Sequence, residues 1–324
     1  MELIRGIHNI KPRHRGCVLT IGNFDGVHQG HHAVLVRLQE KAVQLGLPAC
    51  VMLFEPQPLE LFAGNAAPAR LSRWREKYEA LKGMQIDRML CVRFTHRFAE
   101  QAASTFIEQL LVEKLGVHYL VVGDDFRFGK GREGDFHLLE AAGHRFGFEV
   151  ISTQSFQVER QRVSSTLVRE ALKAGRMAEV ELMLGRPYAI SGRVAHGDKL
   201  GRTIGFPTAN LALKRQVIPV GGVFAVEVLC SGKTFPGVAN VGVRPTLSGT
   251  QARLEVHLFD FSGDLYGQQV KVLLRHKLRE EQKFASFTAL KEQIERDALA
   301  ARAWFGLPPF NLPSTLLEKK GTQD

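Results

Sequence analysis

The 324-residue chain has no run of about 18 apolar residues, so no segment of it is expected to cross a membrane as a helix. Its opening, MELIRGIHNIKPRHRG, lacks the apolar stretch of a secretion signal. Cysteine is scarce: Cys17, Cys50, Cys91 and Cys230 form no C-x-x-C pair and sit mostly inside apolar runs. That pattern argues against a zinc site or a disulfide framework and marks them as small core residues of a reducing compartment, so the cytoplasm is the expected location. Lysine and arginine outnumber aspartate and glutamate by 43 to 33, a formal charge of +10, yet no block of five or six basic residues occurs. A scattered excess suits small polyphosphate ligands better than a nucleic-acid partner, and none is expected. Repeats and low-complexity segments are absent too.

What is present describes a globular enzyme of two domains, with 44% hydrophobic and 23% charged residues. In the first half, apolar runs at 17–21, 49–56, 88–94, 119–123 and 149–153 alternate with helical patterns. The helix after the first run carries Val34, Leu35, Leu38, Ala42 and Leu45 on one face. Further helices fit 71–83 (Leu71, Trp74, Tyr78, Leu81), the stretch holding Phe106, Ile107, Leu110, Leu111 and Leu115, and 135–147. Two short ones begin near Ser164 and Met177. Strands apolar throughout, separated by amphipathic helices, predict a Rossmann-like α/β domain with a parallel sheet covered on both faces over residues 1–185. From GRPYAISGRV the rhythm changes to short strands at 188–195, 223–230, 234–241, 253–261 and 269–276. One helix follows at 286–304, with Phe287, Leu290, Ile294, Leu299 and Trp304 as candidate core contacts. A small antiparallel β-barrel with a C-terminal α-helix fits residues 186–308, leaving 309–324 as a tail.

The stretch GNFDGVHQGHH, 22–32, joins a strand to a helix, which is where open α/β sheets bind ligands. His28 and His31 are three apart at the helix start, where free backbone N–H groups and the helix dipole favour anions. Gly26 and Gly30 let a phosphate chain approach the backbone. Two imidazoles aimed at one place can hold phosphate oxygens as pyrophosphate leaves. The competing reading is a glycine turn capped by Asp25 with two surface histidines.

The same stretch resembles the signature of the nucleotidyltransferases that carry an H-x-G-H element, in particular bacterial FAD synthetases. FEPQP (54–58), VGDDFRFGKGREGD (122–135) and VSSTLVR (163–169) are similar to further motifs of that family. The resemblance implies ATP and phosphate contacts at Gly22, Asn23, Phe24, Gly30, Ser164, Ser165, Thr166 and Arg169. Ser164 or Ser165 can also cap a helix, and Arg169 supplies a forked cation. Gln57 stands where many relatives have histidine, and Asp125 where some have asparagine. These two are flavin-side positions of undefined role.

In the second half, HGDKLGRTIGFPTANL (196–211) spaces Gly197, Gly201 and Gly205 four apart, as a flap whose N–H groups could wrap phosphates. Without a G-K-[ST] it is not a Walker loop, and a plain glycine-rich barrel loop is the alternative. Thr208 and Asn210, two apart in an extended segment, point to one side and offer oxygens that suit Mg²⁺. In RLEVHLFDF, Leu254, Val256 and Leu258 face one way, and Glu255 and His257 the other. These stretches, with GVANVGVRPT (237–246) and RHKLREEQKF (275–284), resemble riboflavin kinase motifs in family order. The resemblance implies Mg-ATP at Thr208 and Asn210, a catalytic base at Glu255, and a flavin-side loop at Arg279 and Phe284.

The chain is therefore identified as a member of the bifunctional riboflavin kinase/FAD synthetase family. The expected chemistry is phosphorylation of riboflavin to FMN in the barrel and adenylylation of FMN to FAD in the α/β domain, with ATP as co-substrate and Mg²⁺ as cofactor. His28, His31 and Glu255 would be the catalytic residues, and the partners are small flavins and ATP. Two alternatives stay open: an N-terminal domain acting on another phosphate ester, or a flavin-sensing binding module. Oligomeric state is not legible.

Overall fold

The computed structural model describes residues 1–153, 163–195, 205–213, 217–246 and 249–309. The chain divides into two compact units. One comprises Met1–Glu170, Leu182–Arg186 and Val217–Pro219. The other comprises Ala171–Glu181, Pro187–Gln216 and the chain from Val220 onward.

In the first unit, β1 (Glu2–Arg5), β2 (Cys17–Ile21), β3 (Ala49–Glu55), β4 (Arg88–Arg93), β5 (Val117–Val122) and β6 (Glu149–Ser152) form one sheet. Its order is β1-β4-β3-β2-β5-β6, with every neighbour parallel. The strand β1 carries no long apolar run and was not expected. All five residues of β2 are buried because the sheet is covered twice. Val18 faces α1 (Gln29–Leu45) through Leu35, Leu38 and Ala42, together with Leu81 of the helix Trp74–Gly83, while Leu19 and Ile21 face the opposite layer of Ile107, Leu110, Leu111 and Leu139. Period two in a strand thus produces a continuous apolar run.

Three helices depart from expectation. Leu45 of α1 is exposed rather than packed, since the helix outlasts the sheet and stops at Gly46 in the left-handed region. After α2 (Pro58–Ala63) comes α3 (Trp74–Gly83), which starts three residues late. Leu71 and Ser72 give their N–H groups to the Asp25 carboxylate instead of beginning a helix. The segment Phe106–Lys114 is a helix of π type, and the Leu115 N–H reaches back five residues to the carbonyl of Leu110. Next come α4 (Phe136–Phe146), started by the Asp135 carboxylate, then α5 (Ser165–Lys173) and α6 (Met177–Leu184).

The second unit is a closed barrel of β7 (Tyr188–Ala195), β8 (Ala209–Ala212), β9 (Gly222–Cys230), β10 (Lys233–Thr246), β11 (Gly249–Leu258) and β12 (Gln269–Arg279). Its strands run in the order β10-β11-β8-β7-β12-β9, and all pairs are antiparallel. The β9–β10 hairpin turns through Ser231 and Gly232 alone, both at positive φ as a two-residue turn demands. The helix α7 (Phe287–Trp304) packs Ala298 and Ala301 against Val223, Ala225 and Val238. The expected contacts Phe287, Leu299 and Trp304 are exposed; Ile294 is partly buried. Small side chains let the helix lie close to the sheet, so the bulky residues are turned outward. The tail beyond residue 309 lies outside the described residues.

The central strand makes a direct test of this packing. Leu19 is fully buried between two layers, so Leu19→Ala should lower stability by about 3 kcal/mol in urea unfolding. A loss under about 1 kcal/mol would mean that the site collapses around the smaller side chain.

Candidate active sites

The first site forms where β2 ends and α1 begins, beside β5, at the point where strand order departs to both sides. The intervening turn is held from outside by its carbonyls. Lys77 Nζ bonds the carbonyl of Asn23 at 2.8 Å, Ser165 Oγ that of Asp25 at 2.9 Å, and Arg186 those of Gly26 and Val27 at 2.6 and 3.0 Å. These restraints hold Phe24 and Val27 at φ 47° and 43°, a region that a β-branched residue rarely enters. Gly26 also has positive φ, and a Cβ there would meet Leu71 at 2.9 Å. A Cβ on Gly30 would strike the carbonyl of Val163 at 2.7 Å, so this glycine lets the start of the S-S-T element approach α1.

Asp25 does more than cap the glycine turn of the competing reading. It is 3% exposed, and its carboxylate accepts from the N–H groups of Leu71 and Ser72 and from Arg169 Nη2 at 2.6 Å. Arg169 also donates through Nε to the carbonyl of Ala69. Ser164 Oγ accepts from the Leu167 N–H at the start of α5, and Thr166 is exposed. Gly22 donates its N–H to Met52, and a Cβ there would stand 3.1 Å from the ring of Phe24.

The histidines of that reading are not surface residues. His28 is the N-cap of α1 and 5% exposed. Its ring stacks on that of His31 at 3.7 Å, and His31 in turn lies 4.9 Å from the ring of Phe24. Burial pushes the His28 imidazole down to about 4, and burial with the neighbouring His28 and Lys77 holds His31 well below the ordinary value. Both are neutral at pH 7 and able to donate one N–H each to phosphate oxygens next to the free amides of the helix start.

Gln57 caps α2 beside the Arg70–Glu55 and Arg70–Glu60 ion pairs. Past the end of β3 an aromatic patch of Phe54, Phe62, Phe94 and Phe98 opens to solvent at Phe62, 62% exposed. Asp125 is exposed in the loop after β5, with Phe126 and Phe128 stacked 5.5 Å apart behind it.

The second site lies on the barrel. Gly197 and Gly201 fall outside the described residues; Gly205, exposed, has φ 85°. Register places Asn210 directly opposite Glu255, so both side chains share the face that Leu254 and Val256 turn away from. Arg253 Nη1 bonds Glu255 Oε1 at 2.9 Å. His257 Nδ1 donates to the carbonyl of Pro207 at 2.9 Å, which fixes the segment bearing Thr208. Pro207, Thr208, Ala209, Leu258 and Tyr266 help to line a cavity of about 100 Å³. Arg279 and Phe284 do come together, 5.7 Å apart, but the Arg279 guanidinium is clamped on the buried Asp297 carboxylate by bonds of 2.7–3.1 Å.

Among the described residues, four buried side-chain polar atoms lack a hydrogen-bond partner: His28 Nδ1, Gln57 Nε2, Asn210 Oδ1 and Asn240 Oδ1. Such atoms are costly, and each calls for a partner outside the protein's own hydrogen bonds or for a functional reason. All four belong to motif stretches, Asn240 to GVANVGVRPT. Sequence reading quoted the stretch that holds Asn240 but gave that residue no role, and it missed Lys77 and Arg186, whose anchoring bonds run to backbone carbonyls and leave no motif. It noted His257 only as the strand neighbour of Glu255.

Comparison with known proteins matches each half of the chain to its own enzyme family. The family model described as FAD synthetase matches residues 10–167, and that described as riboflavin kinase matches residues 184–305. A protein of Escherichia coli (strain K12) named bifunctional riboflavin kinase/FMN adenylyltransferase is 60% identical over 309 residues, covering 95% of this chain and 99% of that protein. Proteins of the same name from Haemophilus influenzae and Pseudomonas fluorescens are 55% and 53% identical. They cover 94% of this chain each, and 99% and 97% of their own lengths. A solved structure described as a macrolide-efflux protein from Streptococcus pneumoniae superposes with a TM-score of 0.77 at 30% identity, over 94% of this chain and all of that one. No helix among the described residues of this chain is long and apolar enough to cross a membrane.

The buried histidine has a measurable signature. Its folded pKa of about 4 lies below the ordinary 6.5, so between those values the unfolded chain binds the proton and the folded chain does not. Stability then falls as pH drops through this window. His28→Gln should remove about 3 kcal/mol of the fall between pH 6.5 and 4 in urea unfolding. Equal pH profiles for both proteins would contradict a neutral, buried His28.

Proposed function

The chain belongs to the bifunctional riboflavin kinase/FMN adenylyltransferases, and from that premise we propose how its residues divide the two reactions. It phosphorylates riboflavin to FMN with ATP, and adenylylates FMN with a second ATP to FAD and pyrophosphate. The observation that carries the assignment is that each half of the chain matches its own enzyme family and holds an unpartnered buried polar atom at its motif site. The proposed boundary between the halves is residue 185.

In the kinase barrel, the riboflavin 5′-hydroxyl oxygen attacks the γ-phosphorus of ATP. A new P–O bond forms, the bond to the β-phosphate oxygen breaks, and the hydroxyl proton passes to the Glu255 carboxylate. Arg253 holds that carboxylate in place. Thr208 and the orphaned Asn210 Oδ1 form an all-oxygen donor pair that fits Mg²⁺. When bound there, Mg²⁺ supplies neutralisation of phosphate charge. The flap of Gly197, Gly201 and Gly205 serves the ATP phosphates, and Phe284 with Arg279 borders the flavin.

In the α/β domain, an FMN phosphate oxygen attacks the α-phosphorus of the second ATP, and the bond to the β-phosphate oxygen breaks. The nucleophile is already an anion, so no base is needed. His28 and His31 donate to phosphate oxygens as charge develops on pyrophosphate, helped by the amides of Asn23, Phe24 and Gly30 and by the start of α1. Gly22 shapes the turn. Ser164, Ser165, Thr166 and Arg169 close over the nucleotide, with Arg169 anchored on Asp25. The exposed Phe62, on the helix that Gln57 caps, offers a face for the flavin ring, and Gln57 and Asp125 are the flavin-side polar groups. The free thiols are in keeping with the cytoplasm, and neither nucleic acid nor membrane enters the scheme.

The two sites should fail separately. Chromatographic assay should show that His28→Ala cuts FAD formation from FMN by about 100-fold or more while FMN still forms. Glu255→Ala should stop FMN formation and spare FAD formation from added FMN. Loss of both activities in either folded variant would overturn the two-site scheme.

A further inference from the structure

One of the four unpartnered polar atoms has no role in the scheme above. Asn240 Oδ1 lies buried on β10, and Asn240 pairs directly with Glu255 of β11. Glu255 pairs on its other side with Asn210 of β8. Asn240, Glu255 and Asn210 therefore form one row across three strands, pointing to one face, with Cβ atoms about 5 Å apart between neighbours.

The direction of the Asn240 amide is fixed by chemistry. Its Nδ2 donates to Glu281 Oε1 at 3.3 Å, and a carboxylate can only accept. Oδ1 must then face away from Glu281. The Glu281 carboxylate is itself seated over Gly242, where a Cβ would come within van der Waals overlap of its oxygens. Any side chain at 242 would displace it. This end of the row thus offers an amide oxygen flanked by the carboxylates of Glu255 and Glu281, all of them acceptors.

Acceptors in a row call for a ligand that donates. Glu255 is paired with Arg253, but a phosphate beside Asn240 would meet the Glu281 carboxylate and be repelled. A chain of hydroxyl groups fits: each O–H donates, and none carries charge. Resting on the kinase reading above, we propose that Asn240 is a specificity-determining residue whose Oδ1 accepts a hydrogen bond from a secondary hydroxyl of the flavin's ribityl chain. The row then orients the substrate. Hydroxyls lie over β10 at Asn240, the reacting 5′-oxygen over β11 at Glu255, and the phosphates over β8 at Asn210.

The test compares riboflavin with a flavin bearing a 5-hydroxypentyl chain, which keeps the reacting hydroxyl and lacks the others. Asn240→Leu keeps the side-chain shape and removes both polar atoms. The ratio of kcat/KM for riboflavin over the analogue should fall about tenfold or more, through a matching rise in the riboflavin KM, with the KM for ATP unchanged. An unchanged ratio overturns the inference. So does a higher Mg²⁺ requirement with the flavin preference intact, which would make Asn240 a cation ligand. If the leucine variant does not fold, Asn240→Ser moves the oxygen back and should lower the ratio in the same direction. Wild-type protein that phosphorylates neither flavin would instead overturn the kinase reading itself.

Discussion

The first domain's site depends on one buried charge. Asp25 sits in the turn between β2 and α1, almost fully removed from water, and such a carboxylate is tolerable only when paired and hydrogen-bonded. Its partners come from two distant stretches: the amides of Leu71 and Ser72, and the guanidinium of Arg169. One group therefore ties together the turn after β2, the approach to α3 and the start of the S-S-T helix. The strained backbone at Phe24 and Val27 persists because Lys77, Ser165 and Arg186 hold the adjoining carbonyls. Rigid carbonyl anchoring on the outside leaves the helix-start amides and two neutral imidazoles for the role proposed above.

The barrel solves a related problem by different means. Its closure removes free strand edges, and its period-two alternation separates an apolar interior from a polar outer row. Asn240, Glu255 and Asn210 occupy consecutive strands of that row. Regular hydrogen-bonded strands are stiffer supports than loops. The groups expected to meet phosphate, hydroxyl and proton are held at fixed spacing by backbone pairing, and His257 extends the arrangement to the Pro207 carbonyl.

Much of this was legible in the sequence because it rests on local rules. The apolar runs became the central strands, GNFDGVHQGHH became a strand-to-helix turn, and the alternation of RLEVHLFDF put Glu255 on the face opposite Leu254. What escaped depends on contacts distant in sequence. The burial of Lys77 follows from a carbonyl 54 residues away, and that of Asp25 from Arg169, 144 residues away. No periodicity encodes these. In α7 the apolar pattern favoured the large residues, whereas close packing on the sheet selected Ala298 and Ala301, and ion pairing allowed Asp297 and Arg302 to be buried. Nor does the sequence pattern show that the Arg279 guanidinium, beside Phe284, is paired with the Asp297 carboxylate of α7.

The central claim is that one chain performs two successive transfers at two sites, the product of the barrel being the substrate of the α/β domain. A chromatographic time course of the purified protein with riboflavin, ATP and Mg²⁺ tests it most directly. The account predicts that FMN rises first and then gives way to FAD. FMN that accumulates with no FAD would contradict the role assigned to the histidine turn, and the absence of any flavin product would contradict the account as a whole.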